Sequence, residues 1–334
     1  MRYERIKMAH GSGGGLTLEL IEEIFAPAFG MGELADAALL EDGSGRMAFT
    51  TDGHVVKPPF FPGGDIGRLA VAGTVNDLAV MGARPRYLTA AFIIEEGLAI
   101  GDLARIARAM RETADEAGVA IVAGDTKVVE RGRGDGVFIA TAGVGFVPEG
   151  RDVGSHRLVP GDVLLINGTL GDHGMAVLSR REGFELSLAL ESDVAPLNHL
   201  IEEVFAAVGD ELHFMRDLTR GGLAAAANEM VRHGPFGVRI HENKVPLQED
   251  VAQYAGMMGI DPLLVANEGK VLFAVTAGAA EEALAVLRRH PLGARAAAIG
   301  DLVRQPAGRV VVETPYGSRR LLEMPVEEQL PRIC

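Results

Sequence analysis

Cysteine is almost missing from this chain: one, Cys334, in 334 residues. A single thiol excludes an intramolecular disulfide framework and any metal site built from clustered cysteines. Long apolar runs are missing too. The opening stretch from Met1 to His10 has none, and no later segment reaches the length of a membrane span, so the expected location is the cytoplasm. Basic residues are in deficit: 32 Lys and Arg stand against 46 Asp and Glu, for a formal net charge of -14. That balance argues against a general surface for nucleic acid or anionic membranes. It leaves nucleotides open, because acidic proteins hold phosphates through metal ions. The glycine-rich stretch Gly11 to Gly15 lacks the Gly-Lys-Ser/Thr of a P-loop and does not fit G-x-G-x-x-G, though glycines ahead of a helix can still offer amides to phosphate. No repeat of solenoid period is present.

What is there suits a globular α/β protein: 48% hydrophobic and 23% charged residues with 43 glycines. The length favours two domains, and residues 148–156, polar and glycine-rich, make the best boundary. The expected units are 1–150, 151–313 and a tail, 314–334. A helix is predicted from Thr17 to Phe25. A second, over Asp65 to Met81, is apolar nearly all round and is stopped by Gly82 with Pro85 beyond. A strand over 87–94, a helix over 102–117 and a strand over 119–123 follow, the last running into Gly124-Asp-Thr-Lys127. In the second half, helices are predicted at 223–231 and 279–289, and strands at 271–276, 296–303 and 309–313. His173, in the loop Gly168 to Gly174, has no partner at ligand spacing and receives no role.

Five aspartates stand beside glycine, at an element's end, or both: Asp42, Asp52, Asp77, Asp125 and Asp217. Turn chemistry alone explains an Asp-Gly pair, and an exposed loop position explains Lys127. Asp77 is harder to dismiss, since it sits near a helix C-terminus, where the dipole disfavours a carboxylate, in a helix with no evident solvent face. A cation is one way to hold it. Five carboxylates so placed exceed what turns require, and oxygen ligands suit Mg²⁺. The tail carries Pro325 and Pro331, which bias it toward an extended form. From Leu322 to Cys334 it spans on the order of 40 Å at full extension, enough to carry a thiol into a pocket or to another protein. A stranded cysteine, or one that cross-links two chains, is the plainer alternative.

Taken together, His10-Gly-Ser-Gly-Gly14, Thr50-Thr-Asp-Gly-His54, Asn76-Asp-Leu-Ala-Val-Met-Gly-Ala-Arg-Pro85, Ala123-Gly-Asp-Thr-Lys127, Arg216-Asp-Leu-Thr-Arg-Gly-Gly222, Asn267-Glu-Gly269 and Pro331-Arg-Ile-Cys334 resemble an ATP-dependent superfamily. It includes aminoimidazole ribonucleotide synthetase, selenophosphate synthetase and thiamine monophosphate kinase. Within it the match is to the hydrogenase maturation factors that dehydrate a carbamoyl group. The resemblance spans the chain, and Pro-Arg-Ile-Cys is its most specific part. It implies an α/β (α+β) fold of two domains, an N-terminal sheet domain that dimerises and a C-terminal mixed domain, with a flexible tail.

The same resemblance implies a chemistry. A carbamoyltransferase loads Cys334, MgATP converts the thiocarbamate to a thiocyanate, and an iron-carrying scaffold complex accepts the cyanide for [NiFe]-hydrogenase. Cys334, Glu268 as base and Lys127 are the implied catalytic residues. Asp52, Asn76, Asp77, Asp125 and Thr126 would bind ATP, and Asp42, Asp77 and Asp217 would hold Mg²⁺. Another ATP-dependent reaction of the superfamily, or a non-catalytic nucleotide-binding docking subunit, is the competing reading. Residues 10 to 15 contain neither the reactive cysteine nor the lysine expected of a selenophosphate synthetase.

Overall fold

The computed structural model describes residues 14–29, 35–41, 45–182, 190–232, 234–326, 330 and 332–334. Asp42 and residues 10–13 of the glycine-rich loop lie outside them. In the first half, helices α1 (Gly15–Leu20) and α2 (Ala26–Phe29) flank a π-helical turn. Strands β1 (Ala38–Glu41) and β2 (Arg46–His54) and two short strands, β3 (Phe60–Phe61) and β4 (Gly64–Asp65), come next. Helix α3 (Ile66–Val80), strand β5 (Arg84–Glu95), helix α4 (Ile100–Ala117) and strands β6 (Ala120–Val129) and β7 (Val137–Val147) complete that half. The main sheet runs β1-β2-β7-β5-β6. Only β5 and β6 are parallel, the pairing that requires a crossover helix, here α4.

Helix α3 begins at Asp65, whose carboxylate accepts from the amides of Gly67 and Arg68 and so satisfies donors the first turn leaves open. Every α3 residue except Arg68 and Asp77 is buried. The helix can be apolar all round because the sheet covers one side, α4 another and the second half of the chain a third. The opposite face of the sheet is bare, with Phe49, Tyr87, Ile93 and Phe146 all exposed.

The second half opens with β8 (Val163–Ile166) and α5 (Asp172–Glu182), then α6 (Asn198–Val208), β9 (Leu212–Asp217), α7 (Gly222–Val231), β10 (Gly237–His241) and α8 (Glu249–Met258). It closes with β11 (Val271–Val275), α9 (Ala280–Arg289), β12 (Ala297–Val303), β13 (Val310–Glu313) and β14 (Arg319–Leu321). Its sheet runs β14-β13-β10-β12-β8-β11-β9. Leu164, Ile166 and Leu272 pack against α7 on one face, while Leu165, Phe273 and Val275 pack against α6 and α9 on the other. That two-sided burial is why β11 is buried at every position instead of alternating.

Two expectations change. Asp125, Thr126 and Lys127 lie within strand β6 and not in a loop at its end, because β5 offers pairing partners as far as Glu95. Residues 319–321, assigned to the tail from the sequence, form the edge strand β14 against β13. The described part of the tail packs back onto the chain: Leu330 and Ile333 are buried and join the core cluster that links the two halves.

Candidate active site

Asp36, Asp77 and Asp217 offer carboxylate oxygens that all lie within 4.8 Å of one another, the one such group among the described residues. Each comes from a different element: the segment before β1, helix α3 and the end of β9. The Thr50 hydroxyl lies within hydrogen-bond distance of Asp77 Oδ2, at 2.9 Å, and of the Asp36 carbonyl oxygen, at 3.0 Å, sharing its one proton between them and tying β2 to the group. Burial, together with the charges of Asp217, Asp52 and Asp36, pushes the Asp77 carboxyl well above its usual range. Burial, with Asp36 the next cause, does the same to Asp217. Arg216 answers part of the charge, lying 3.2 Å from Asp36 and 2.7 Å from Glu229. Three hard oxygen donors with excess negative charge fit a divalent cation such as Mg²⁺.

The sequence singled out Asp77 and Asp217 and missed Asp36, which lies neither beside a glycine nor at the end of a predicted element. Asp52 stands on the helix-facing side of β2, its carboxylate 3.4 Å from His54 Nε2. Asn76 is committed elsewhere. Its amide nitrogen donates to the carbonyls of Ala195 and Glu268, and its oxygen accepts from the Leu197 amide, so it clamps α3 to the second half and has no free face for a nucleotide.

Glu268 sits in a loop held from several sides. The Asn267 side chain donates to the carbonyls of Leu218 and Val265 and accepts from Gly171. The Glu268 amide donates to Asp193. Gly269 is needed for this approach, since a Cβ there would fall 1.9 Å from the Asp193 carbonyl oxygen. Glu268 is 4% exposed, and its Oε1 is buried with no hydrogen-bond partner among the described residues. Burial, then the carboxylates of Asp217, Asp52 and Asp193, push its pKa well above the ordinary glutamate value. A buried carboxyl with a free oxygen and a raised pKa is a candidate for proton transfer.

Cys334 is partly buried against the core that joins the halves. Its main-chain oxygen accepts from the Val55 amide, and the carbonyl of Ile333 accepts from the buried ring of His173 at 2.9 Å. His173 Nδ1 meets the Ser192 hydroxyl at 2.7 Å, next to the Asp193 that holds Glu268. Residues 192 and 193 thus hold both the histidine that receives the tail and the main chain of Glu268. The sequence could not show this, since His173 and Ile333 are 160 positions apart.

Lys127 is not brought to the acidic group within one chain. It is exposed, its ammonium paired with both oxygens of Asp125 at 2.8 and 2.6 Å, and Thr126 donates its amide to the same carboxylate. In register, Lys127 lies opposite Ile93 on the bare face of the sheet, three strands from β2 and so about 14 Å away across the sheet.

Comparisons with known proteins bear on this arrangement. The family description "AIR synthase related protein, N-terminal domain" matches residues 34–147, and the corresponding C-terminal domain matches residues 159–313. Carbamoyl dehydratase HypE of Rhodobacter capsulatus is 49% identical over 340 residues, covering 100% of this chain and 99% of that protein. A solved HypE-HypF complex contains a chain that is 48% identical with a TM-score of 0.87, covering 92% of this chain and 99% of its own. A hydrogenase maturation protein HypE solved in complex with ATP is 45% identical with a TM-score of 0.83, covering 99% of this chain and 100% of its own.

Proposed function

This chain belongs to the AIR synthase related family and, within it, to the carbamoyl dehydratases of hydrogenase maturation, and on that premise we propose that it uses ATP to dehydrate a carbamoyl group carried on Cys334 to a thiocyanate. The observation that carries the reading is the Glu268 carboxyl, buried with an oxygen that has no partner among the described residues, in a loop whose amide is held by Asp193, next to the Ser192 that meets the histidine receiving the tail.

An amide oxygen is a poor leaving group. Transfer of the ATP γ-phosphoryl group to that oxygen gives ADP and an imidate phosphate, with loss of one nitrogen proton. Removal of the second nitrogen proton and departure of phosphate leave a C≡N triple bond on sulfur, so the atoms of one water end in phosphate and released protons. Glu268 is the base for nitrogen, and Asp193 and the Asn267 clamp hold it in place. Asp36, Asp77 and Asp217 would hold Mg²⁺, which when bound neutralises triphosphate charge. Asp52 extends that acidic lining.

Lys127, Asp125 and Thr126 enter through a homodimer. The bare face of the first sheet, with Phe49, Tyr87, Ile93 and Phe146 exposed on it, is the surface a second copy would cover. Lys127 would then serve the nucleotide at the interface, where its charge stabilises the transferred phosphoryl group. Loading of Cys334 falls to a carbamoyltransferase, in keeping with the HypF partner of the relative. An iron-carrying scaffold accepts the nitrile as cyanide. The work takes place in the cytoplasm, and among the described residues no helix is long and apolar enough to cross a membrane.

Intact-mass measurement tests the reading. The protein is carbamoylated on Cys334 and weighed before and after MgATP. The adduct is expected to lose the mass of one water only with ATP, to keep it in Glu268→Gln, and never to form in Cys334→Ala. An adduct that survives in the parent protein with ATP bound would support the docking subunit instead.

A further inference from the structure

Arg332 is the one non-glycine residue among those described whose backbone lies in the left-handed region, at φ 60°. A residue with a Cβ keeps that conformation only where its surroundings fix it. The fixing contacts are specific. Its guanidinium pairs with Asp135, on the segment between β6 and β7, and the same carboxylate takes Lys57 Nζ at 2.6 Å. Its carbonyl accepts from the Lys57 amide at 3.2 Å and from Arg181 Nη2 at 2.7 Å. One residue on, Ile333 is 1% exposed, and its carbonyl accepts from His173 Nε2. A carbonyl only accepts, so His173 carries its proton on Nε2, and Nδ1 accepts from Ser192. The ring also packs perpendicular to Phe61, centroids 5.3 Å apart, so packing helps fix its orientation.

These two grips differ in place and kind. Asp135, with about a quarter of its side chain exposed (24%), is a charged hold at the rim. His173 is fully buried and takes a main-chain atom directly before Cys334. Neither belongs to the acidic group or touches its carboxylates in any described hydrogen bond or ion pair.

We propose that Asp135 and His173 are positioning residues that form a two-point latch on the tail, Asp135 reading the Arg332 side chain at the rim and His173 holding the Ile333 carbonyl inside. The latch sets where Cys334 stands during dehydration and how often it leaves to be loaded. The catalytic half of this inference rests on the dehydratase reading; the latch itself does not.

Opposite signs separate a latch from general damage. In the folded protein, Asp135→Asn and His173→Phe are each expected to speed alkylation of Cys334 by iodoacetamide about fivefold and to slow single-turnover dehydration of the carbamoylated tail by a similar factor. Damage to the fold would instead lower the melting temperature and slow turnover with no gain tied to the tail. Asp135 is partly exposed, so its variant folds even if a buried histidine variant does not. His173→Gln, which keeps a donor, should recover most of the parent alkylation rate. Unchanged alkylation in Asp135→Asn would overturn the latch, whether or not the parent protein turns over. A parent protein that never dehydrates would overturn the dehydratase reading and leave the alkylation result standing.

Discussion

Asp172 shows what burial does to one group in this molecule. It heads α5, accepts from the Thr169 hydroxyl and lies 3.8 Å from Lys270, while its other oxygen has no partner among the described residues. Burial is the largest influence, and with Asp193 near it outweighs Lys270, raising the pKa from 3.8 to about 6. The sign follows from linkage. A carboxyl whose folded pKa exceeds its unfolded value favours the fold most below pH 3.8, and that contribution fades as pH rises through about 6. The loss is on the order of 3 kcal/mol. Asp172→Asn should therefore gain stability relative to the parent as pH goes from 4 to 7, read by urea denaturation across that range. Parallel profiles would show that Asp172 is ionised in the fold at no cost. Residue type made Asp77 and Asp217 candidates at once, whereas Asp36, Asp193 and Lys270 carried no local mark, because what singles them out is the company the fold gives them.

Helix α3 and strand β6 show how elements carry the site. The apolar pattern of α3 is legible from Asp65 onward, and the structure ends it at Val80, one residue before the predicted Met81. A helix buried all round must meet its neighbours closely, and Gly67 lies beneath the Ile106 carbonyl of α4. A Cβ there would come within 2.4 Å of that oxygen. Gly67→Ala should destabilise the protein by about 2 kcal/mol, measured by urea unfolding, and a neutral result would mean that α3 and α4 can separate freely. Strand β6 was harder to read. Gly124 and Asp125 are turn residues by local propensity, yet pairing along β5 carries the strand on to Val129, an instance of tertiary context overriding propensity.

At the scale of the whole molecule, one core runs through both halves: Val71 and Leu88 of the first share it with Met175 and Val265 of the second and with Ile333 of the tail. The site lies along that seam, which is why its residues come from β2, α3, β9, the loop at 267–269 and the tail. The bare sheet face is the complementary feature, and the proposed homodimer is tested there. Ile93→Glu places a charge on that face without touching the core. It should convert a dimer to a monomer in sedimentation and weaken ATP binding about tenfold or more, with the helical spectrum intact. A parent protein that sediments as a monomer would remove the dimer and, with it, the role given to Lys127.

Composition, charge, the single cysteine and the run of motifs determined the class of protein, its two α/β halves and a chemistry of carboxylates, nucleotide and thiol, because these follow from residue type and short-range pattern. The tertiary structure decided which carboxylates stand together, that Asn76 is a clamp, that Lys127 faces away from its own chain's acidic group, and that His173 receives the tail. Those facts depend on contacts between residues up to 192 positions apart, and no local spacing encodes a meeting across that distance.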